Sequence, residues 1–533
     1  MEEGTARVTA RQPGPHIIGR WVLICIVAAS FGFHMWGIQR DLPYSAEPDE
    51  PIFVTRAVPM AATGDLNPGW FGNPGSTLIY PLAAFYHLWH AVTHGGSLFQ
   101  PDPNLQAAFD ASQSEFYLLG RFLSIAYAVM SVPLVFQVGR QAFGEGVGLI
   151  GSWFWVLSPI AVGHATLVRT DSTSTFFGLL GLWACLRVYQ RPDIRNQVVA
   201  GLALGLAIAS KYYLVALTVV LLAIDGLILW REFTLTHTLR KAWAGAVAGL
   251  VTVGLAFVLS TPYLVLDFAT ALRDASAEMR PYHLGSDGLS PAENMLWYLS
   301  VAFPRNLGWP RMVLAALGIG LAAGRRRNQQ MLLGGFVLLF WAGISLSALH
   351  WERWIFPVLP VLALFAGYAV VACIVYLSGY LRLTPSIQRA LIGVAVVLIS
   401  IWPAYQLIML DVRLANPSTR VLAREWIVQN LTPGSRIALE KYSAALYGTD
   451  FDAREYGLLG ATGYTLEDAY RAGIRYVVVS SAVYERFLAE ADRYPSEAGF
   501  YQALFEKGHL LQEFIPSATR GGPTIRIYAL PGP

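Results

Sequence analysis

Apolar residues recur along this chain in long blocks. Blocks near the ~20 residues needed to cross a bilayer stand at 17–37, 117–139, 146–164, 172–189, 196–210, 212–230, 243–264, 309–323, 331–349, 355–377 and 388–409. Another, 76–93, is short and contains Pro81, His87 and His90. If it does not cross, the pattern predicts eleven spanning helices.

Basic residues decide that condition. With the N-terminus inside and 76–93 kept from crossing, Arg140, Arg187, Arg191, Arg195, Arg231, Arg240, Lys241, Arg325, Arg326, Arg327, Arg382 and Arg389 all fall in cytoplasmic connections. That is the bias expected of inner loops. A crossing at 76–93 would turn all of these clusters outward. The reading is therefore eleven spans, with a cytoplasmic N-terminus and 76–93 lying in or on the outer leaflet. The first block follows Arg7 and Arg11 and contains Arg20. Small residues at Ala28, Ala29 and Ser30 resemble a cleavage site, but the apolar run continues through Phe31, Phe33 and Met35, so it reads as an uncleaved span.

The pattern changes near Asp411. Residues 411–533 hold 14 acidic and 13 basic residues, 22% of that stretch, against 11% before it. Ser418–Asn430 reads as an amphipathic helix. Apolar strand-like runs follow at Arg436–Glu440, Arg475–Ser480 and Thr524–Leu530, with helical segments at 465–473 and 483–508 between them. Strands alternating with helices predict a small α/β domain. The chain thus divides into a membrane part, 1–410, and an extracytoplasmic α/β domain, 411–533. Pairs such as Gly201 with Gly205 and Gly245 with Gly249 sit at helical spacing and read as close helix packing.

Composition narrows the class. Of 533 residues 14% are charged and 55% hydrophobic, where soluble domains run near a quarter charged. Disorder, collagen and a lone small soluble domain are excluded. A net charge of +3 gives no reason to invoke nucleic acid. Cys25, Cys185 and Cys373 each sit in an apolar run, so no disulfide framework is expected. Sixteen Trp fit interfacial belts. The expected location is the plasma membrane.

Charges that break the inside rule fall on the outer side. One outer loop, about 39–115, carries Asp49-Glu50. Two adjacent carboxylates near an interface suit two tasks: one takes a proton from an acceptor hydroxyl, the other orients it or holds a cation. A solvated carboxylate pair is the plainer alternative. His164, Arg169 and Asp171 lie in a second outer connection, where Asp171 also suits a helix N-terminus. Lys211, Arg121 and Arg353 sit near outer span ends. Each either snorkels to the interface or meets a phosphate. A second long outer loop, about 265–308, holds Asp267, Glu278, His283 and Arg305. His283 has metal-ligand chemistry, though no HExxH or Cys-His spacing accompanies it.

At these residues the chain resembles the family 39 membrane glycosyltransferases, the protein O-mannosyltransferases and the aminoarabinose lipid A transferase among them. SAEPDEPIFVTRAV, GDLNPGWFGNPGSTLIYPL, GRFLSIAYAVMSVPLVFQVGRQAFG, HATLVRTDSTSTFF, LAIASKYYLVAL, STPYLVLD and HWERWIFPVLPVLAL follow in that order over roughly residues 17–380. The resemblance implies a GT-C fold, a polyprenyl-phosphate sugar donor and an active site open to the outer side. It implies Asp49 as base, Glu50 as support for the site or a divalent metal ion, and Asp171 as the second acid. Lys211 and Arg121, with Arg353, fall where basic residues meet the lipid phosphate. His283 matches a loop histidine that helps hold a cation. The tail shows no mannosyltransferase-type repeat domain, which argues against eukaryotic-style protein mannosylation.

The expected activity is thus inverting transfer of a sugar from that donor to an acceptor hydroxyl of unassigned identity, beside membrane lipids. The alternative is a transporter or lipid flippase. Such proteins place ionisable groups near the bilayer midplane and show paired halves; here the groups sit at span ends, and the halves show no similarity.

Overall fold

The computed structural model describes residues 17–44, 47, 49–236, 240–463 and 465–530. Arg7 and Arg11, and Ser45, Ala46 and Pro48 beside the Asp-Glu pair, lie outside them. Helices occupy all eleven predicted blocks. They are Ile17–Trp36, Gln113–Ala142, Glu145–Val156 with Pro159–Ala165, Thr170–Gln190, Ile194–Ser210, Thr218–Thr236, Arg240–Ser260, Trp309–Gly324, Asn328–Ser345, Leu359–Tyr380 and Pro385–Ala415. Among the described residues six helical runs are long and apolar enough to cross a membrane, and two pairs bent by 61° and 113° bring the number to eight. The others fall short for local reasons. Ile194–Ser210 has 17 residues, and Thr170–Gln190 opens on the polar run TDSTST. The chain is a multi-pass membrane protein.

Leu359–Tyr380 is the central helix, buried along most of its length. Trp309–Gly324 and Glu145–Val156 pack against it. Gly318 makes the first contact possible, since a Cβ there would stand 2.2 Å from the Phe365 carbonyl oxygen. The expected glycine packing is present too: a Cβ at Gly201 would lie 2.4 Å from Gly249 O, so helices Ile194–Ser210 and Arg240–Ser260 meet backbone to backbone.

The first long loop, expected on the outer side, folds into helices Pro51–Thr63, Ser76–His94 and Asn104–Ala111. The second contains Phe268–Glu278, and side chains tie the two loops together. Asn67 Nδ2 donates to Asp267 Oδ2 at 3.0 Å, and the Phe71 N–H donates to Asp274 Oδ2 at 2.9 Å.

Helix Pro385–Ala415 runs four residues past Asp411 before the C-terminal domain begins with Thr419–Asn430. That domain holds a five-stranded sheet: β1 Arg436–Glu440, β2 Asp452–Tyr456, β3 Tyr476–Ser480, β4 His509–Phe514 and β5 Ile525–Ala529, in the order β2-β1-β3-β5-β4. β1 is parallel to β2 and β3, while β5 is antiparallel to β3 and β4. Helix Thr419–Asn430 packs on one face through Ala423 and Ile427. Helices Ser481–Ala489 and Pro495–Lys507 cover the other through Phe487, Tyr501 and Leu504.

Candidate active site

Asp49 sits two residues before helix Pro51–Thr63, with Glu50 as the N-cap between them. Arg169 Nη2 and Arg353 Nη1 both donate to Asp49 Oδ2, at 2.8 and 2.9 Å. Arg169 is the N-cap residue of helix Thr170–Gln190, and Arg353 lies in the short turn Glu352–Ile355. Burial works against the Asp49 carboxylate, but the two guanidinium groups outweigh it and hold its pKa below the usual aspartate value.

Asp171 occupies the first turn of that same helix and is 1% exposed. His164 Nδ1 donates to its Oδ2 at 3.1 Å, and Lys211 Nζ donates to its Oδ1. Lys211 stands at the break after Ile194–Ser210, in extended backbone, which frees its side chain to cross to the neighbouring helix. Asp49, Arg169, Asp171, Lys211 and Arg353 line one cavity of about 360 Å³, with Trp351 and Tyr213 among its walls. Four of the residues singled out from the sequence, Asp49, Asp171, Lys211 and Arg353, therefore share one space.

Glu50, expected to support the site or a cation, and Arg121, expected to meet the phosphate, do not line it. Arg121 Nε and Nη2 donate to the two Glu50 oxygens, each at 2.7 Å. Its Nη1 donates to the Ile38 and Arg40 carbonyls at 2.9 and 2.7 Å. The Val168 N–H adds a third donor to Glu50 at 3.0 Å. Glu50 is 0% and Arg121 1% exposed. Their charges are spent on each other, clamping the first long loop to helix Gln113–Ala142 and to the segment before Arg169.

His283 lies off the cavity wall, its ring 4.7 Å from that of Trp351. Burial, then Arg280 and Arg486, push its pKa down to about 4, so it is neutral at pH 7. Among the described residues no group of three His, Cys, Asp or Glu is arranged to hold a metal ion. With Glu50 committed to Arg121, the Glu50–His283 donor set does not fit a divalent cation.

Sequence reasoning missed three partners. Arg169 was visible as a charge but not as the clamp on Asp49. His164 was visible, and its spacing of seven residues from Asp171 is the signal that pairs them. Glu47, which accepts from Arg169 Nη2 at 2.9 Å, had no local signal.

Residues 115–263 match the model of the family described as dolichyl-phosphate-mannose-protein mannosyltransferase. The apo oligosaccharyltransferase of Archaeoglobus fulgidus is similar with a TM-score of 0.54 and 14% identity, covering 96% of this chain and 74% of that one. ArnT from Cupriavidus metallidurans in the apo state gives 0.52 at 17% identity, over 97% and 100% of the two chains. Its structure bound to undecaprenyl phosphate gives 0.51 at 17%, over 96% and 99%. The chain shares its fold with these structures. No curated protein matches it. The resemblance read from the sequence holds at the level of the fold, and the 149-residue family match includes Arg121, Asp171 and Lys211.

Proposed function

We propose that this protein is an inverting glycosyltransferase that moves a sugar from a polyprenyl-phosphate donor to an acceptor hydroxyl at the outer face of the membrane. The observation that carries this reading is the shared cavity: a carboxylate between two guanidinium groups, facing a Lys–Asp–His cluster.

In the proposed step the acceptor oxygen forms a bond to the anomeric carbon as the bond from that carbon to the phosphate oxygen breaks. The hydroxyl proton passes to Asp49, and the electron pair of the broken bond leaves on the polyprenyl phosphate. Lys211 and Arg353 offset that developing charge. An aspartate with a depressed pKa is a weak base, so the proton moves late, once the acceptor oxygen has become acidic through bonding to carbon. Asp171 balances Lys211 in the resting site, and His164 holds Asp171 from its other oxygen.

The lipid chain also has a path. An open groove of about 850 Å³, lined by Met60, Leu66, Tyr80, Phe99, Leu206 and Leu259 among others, includes Ser76 and Thr77, three and four residues beyond Asn73 on the cavity wall. Such an apolar groove beside the cationic cavity suits a donor soluble only in the bilayer. The eleven-span arrangement, with Asp49 and the C-terminal domain outside, is part of the proposal, supported by the loop charges.

The test is turnover by purified full-length protein of a panel of undecaprenyl-phosphate sugars, pentoses and hexoses, read as release of undecaprenyl phosphate. Release that requires Asp49 supports the reading. No release from any donor, with undecaprenyl phosphate itself failing to bind, overturns it.

A further inference from the structure

Glu47 joins the cavity to the C-terminal domain. Its Oε1 accepts from Arg169 Nη2 at 2.9 Å, the same nitrogen that donates to Asp49 at 2.8 Å. Its Oε2 accepts from Arg420 Nη1 at 3.4 Å and lies 3.7 Å from Arg40 Nη2. Arg420 belongs to the first turn of helix Thr419–Asn430, in the C-terminal domain, and is 7% exposed. Its Nε donates to the Tyr442 carbonyl at 3.1 Å, in the connection after β1, so its position is set by that domain's own fold.

We infer that Glu47 is a positioning residue for Asp49 and that the C-terminal domain, through Arg420, is a working part of the catalytic cavity. The inference rests on the cavity being the site of sugar transfer. Glu47 divides the Arg169 charge. Without it, Arg169, Arg40 and Arg420 would repel one another, and Arg169 would be drawn wholly onto Asp49, turning the carboxylate away from its working orientation. Arg420 in turn holds Glu47 from the domain side. A domain serving only as an attachment needs no contact with the residue that shares a nitrogen with the base.

The experiment compares E47Q, R420Q, R420K and the E47Q/R420Q double variant as full-length protein, using the undecaprenyl-phosphate sugar that wild type turns over fastest. Misplacing a reacting group by a fraction of an ångström is costly, so E47Q is expected to lower kcat by roughly tenfold or more with KM for the donor within about twofold. R420Q is expected to lower kcat by roughly fivefold, R420K to recover at least about half of that loss, and the double variant to do no worse than E47Q, because both act along one path. Unchanged kcat in E47Q and R420Q, a rise in KM alone, or losses that multiply in the double variant would overturn the inference. Hydrogen exchange of residues 39–50 supplies a second arm that needs no donor. Faster exchange in R420Q, restored in R420K, supports the coupling even if wild type turns over no donor and the functional reading fails; unaltered exchange overturns it.

Discussion

Asp49 carries its charge between Arg169 and Arg353, and that geometry sets the cost of replacing it. Asp49→Asn keeps the shape and removes the base. Positioned acid–base groups contribute about 10²–10⁴-fold, so kcat should fall by about that factor with undecaprenyl phosphate binding nearly unchanged; full turnover in a folded protein would remove Asp49 from the mechanism. The Glu50–Arg121 pair behaves differently. Removing one partner strands a buried charge, which costs about 3–5 kcal/mol, so Glu50→Gln should lower Tm sharply. The Glu50→Gln/Arg121→Met double variant should regain part of that loss, since neither charge is then left alone. A third carboxylate gives the C-terminal domain a pH dependence. Burial raises Glu440, at the end of β1, to about 7, despite N–H donors from Ser480 and Leu459 and the Tyr501 hydroxyl. In the unfolded chain it ionises near pH 4.5. Between those values the folded domain keeps a proton the unfolded chain releases, so stability is full below about pH 4.5 and falls as pH rises to 7. The loss is about 3 kcal/mol at one pKa unit per 1.36 kcal/mol. Thermal unfolding followed from pH 5 to 7 should show this slope, and E440Q should flatten it.

Elements were legible to the degree that burial wrote them into the sequence. Long apolar blocks gave a helix at each predicted position, because a helix facing lipid needs apolar residues all round. β3, YVVVS, is buried along its last four residues and was plain; β2, DAREY, lies at a sheet edge with three exposed positions and carries no apolar alternation to read. β4 is the other edge strand and was hidden for the same reason. At the site, Asp49, Asp171, Lys211 and Arg353 were readable as charges out of place. Their partners were not, since Asp49 and Arg353 are 304 residues apart and only the fold joins them. The pairing of Glu50 with Arg121 was hidden for a related reason: sequence marks a charge near an interface but not whether another charge has already taken it. The helix Ser76–His94 remains an element whose relation to the bilayer carries the whole topology. If it lies along the outer leaflet, a reporter fused after Val92 reads as external. A cytoplasmic signal would turn the basic loops outward and overturn both the span count and the outer placement of Asp49.

At the scale of the whole molecule, the C-terminal domain is held to both long loops by contacts of different strength. Arg420 meets the first loop at Glu47. On the second, Arg493 Nη1 and Nη2 donate to the two oxygens of Asp287 at 2.8 and 3.0 Å. The two partners are not equivalent. The Asp287 side chain is 1% exposed and accepts from the His283 N–H at 2.9 Å, whereas Arg493 is 38% exposed and has Glu490 within 3.2 Å as a second partner. Removing a partner from a buried carboxylate costs more than releasing a cation to water, because only the first leaves a desolvated charge. R493Q should therefore loosen the 279–290 segment more than D287N, whose amide oxygen still accepts from His283 while Arg493 falls back on Glu490. Hydrogen exchange of that segment should quicken several-fold more in R493Q than in D287N. Raising the pH gives the native pair no relief, since Arg493 is held above its ordinary value by Asp287, whereas added salt should narrow the gap between wild type and D287N by screening the exposed side of the pair. Equal effects from the two variants would mean that the segment is held by its packing against Trp351 and Arg486 rather than by this ion pair.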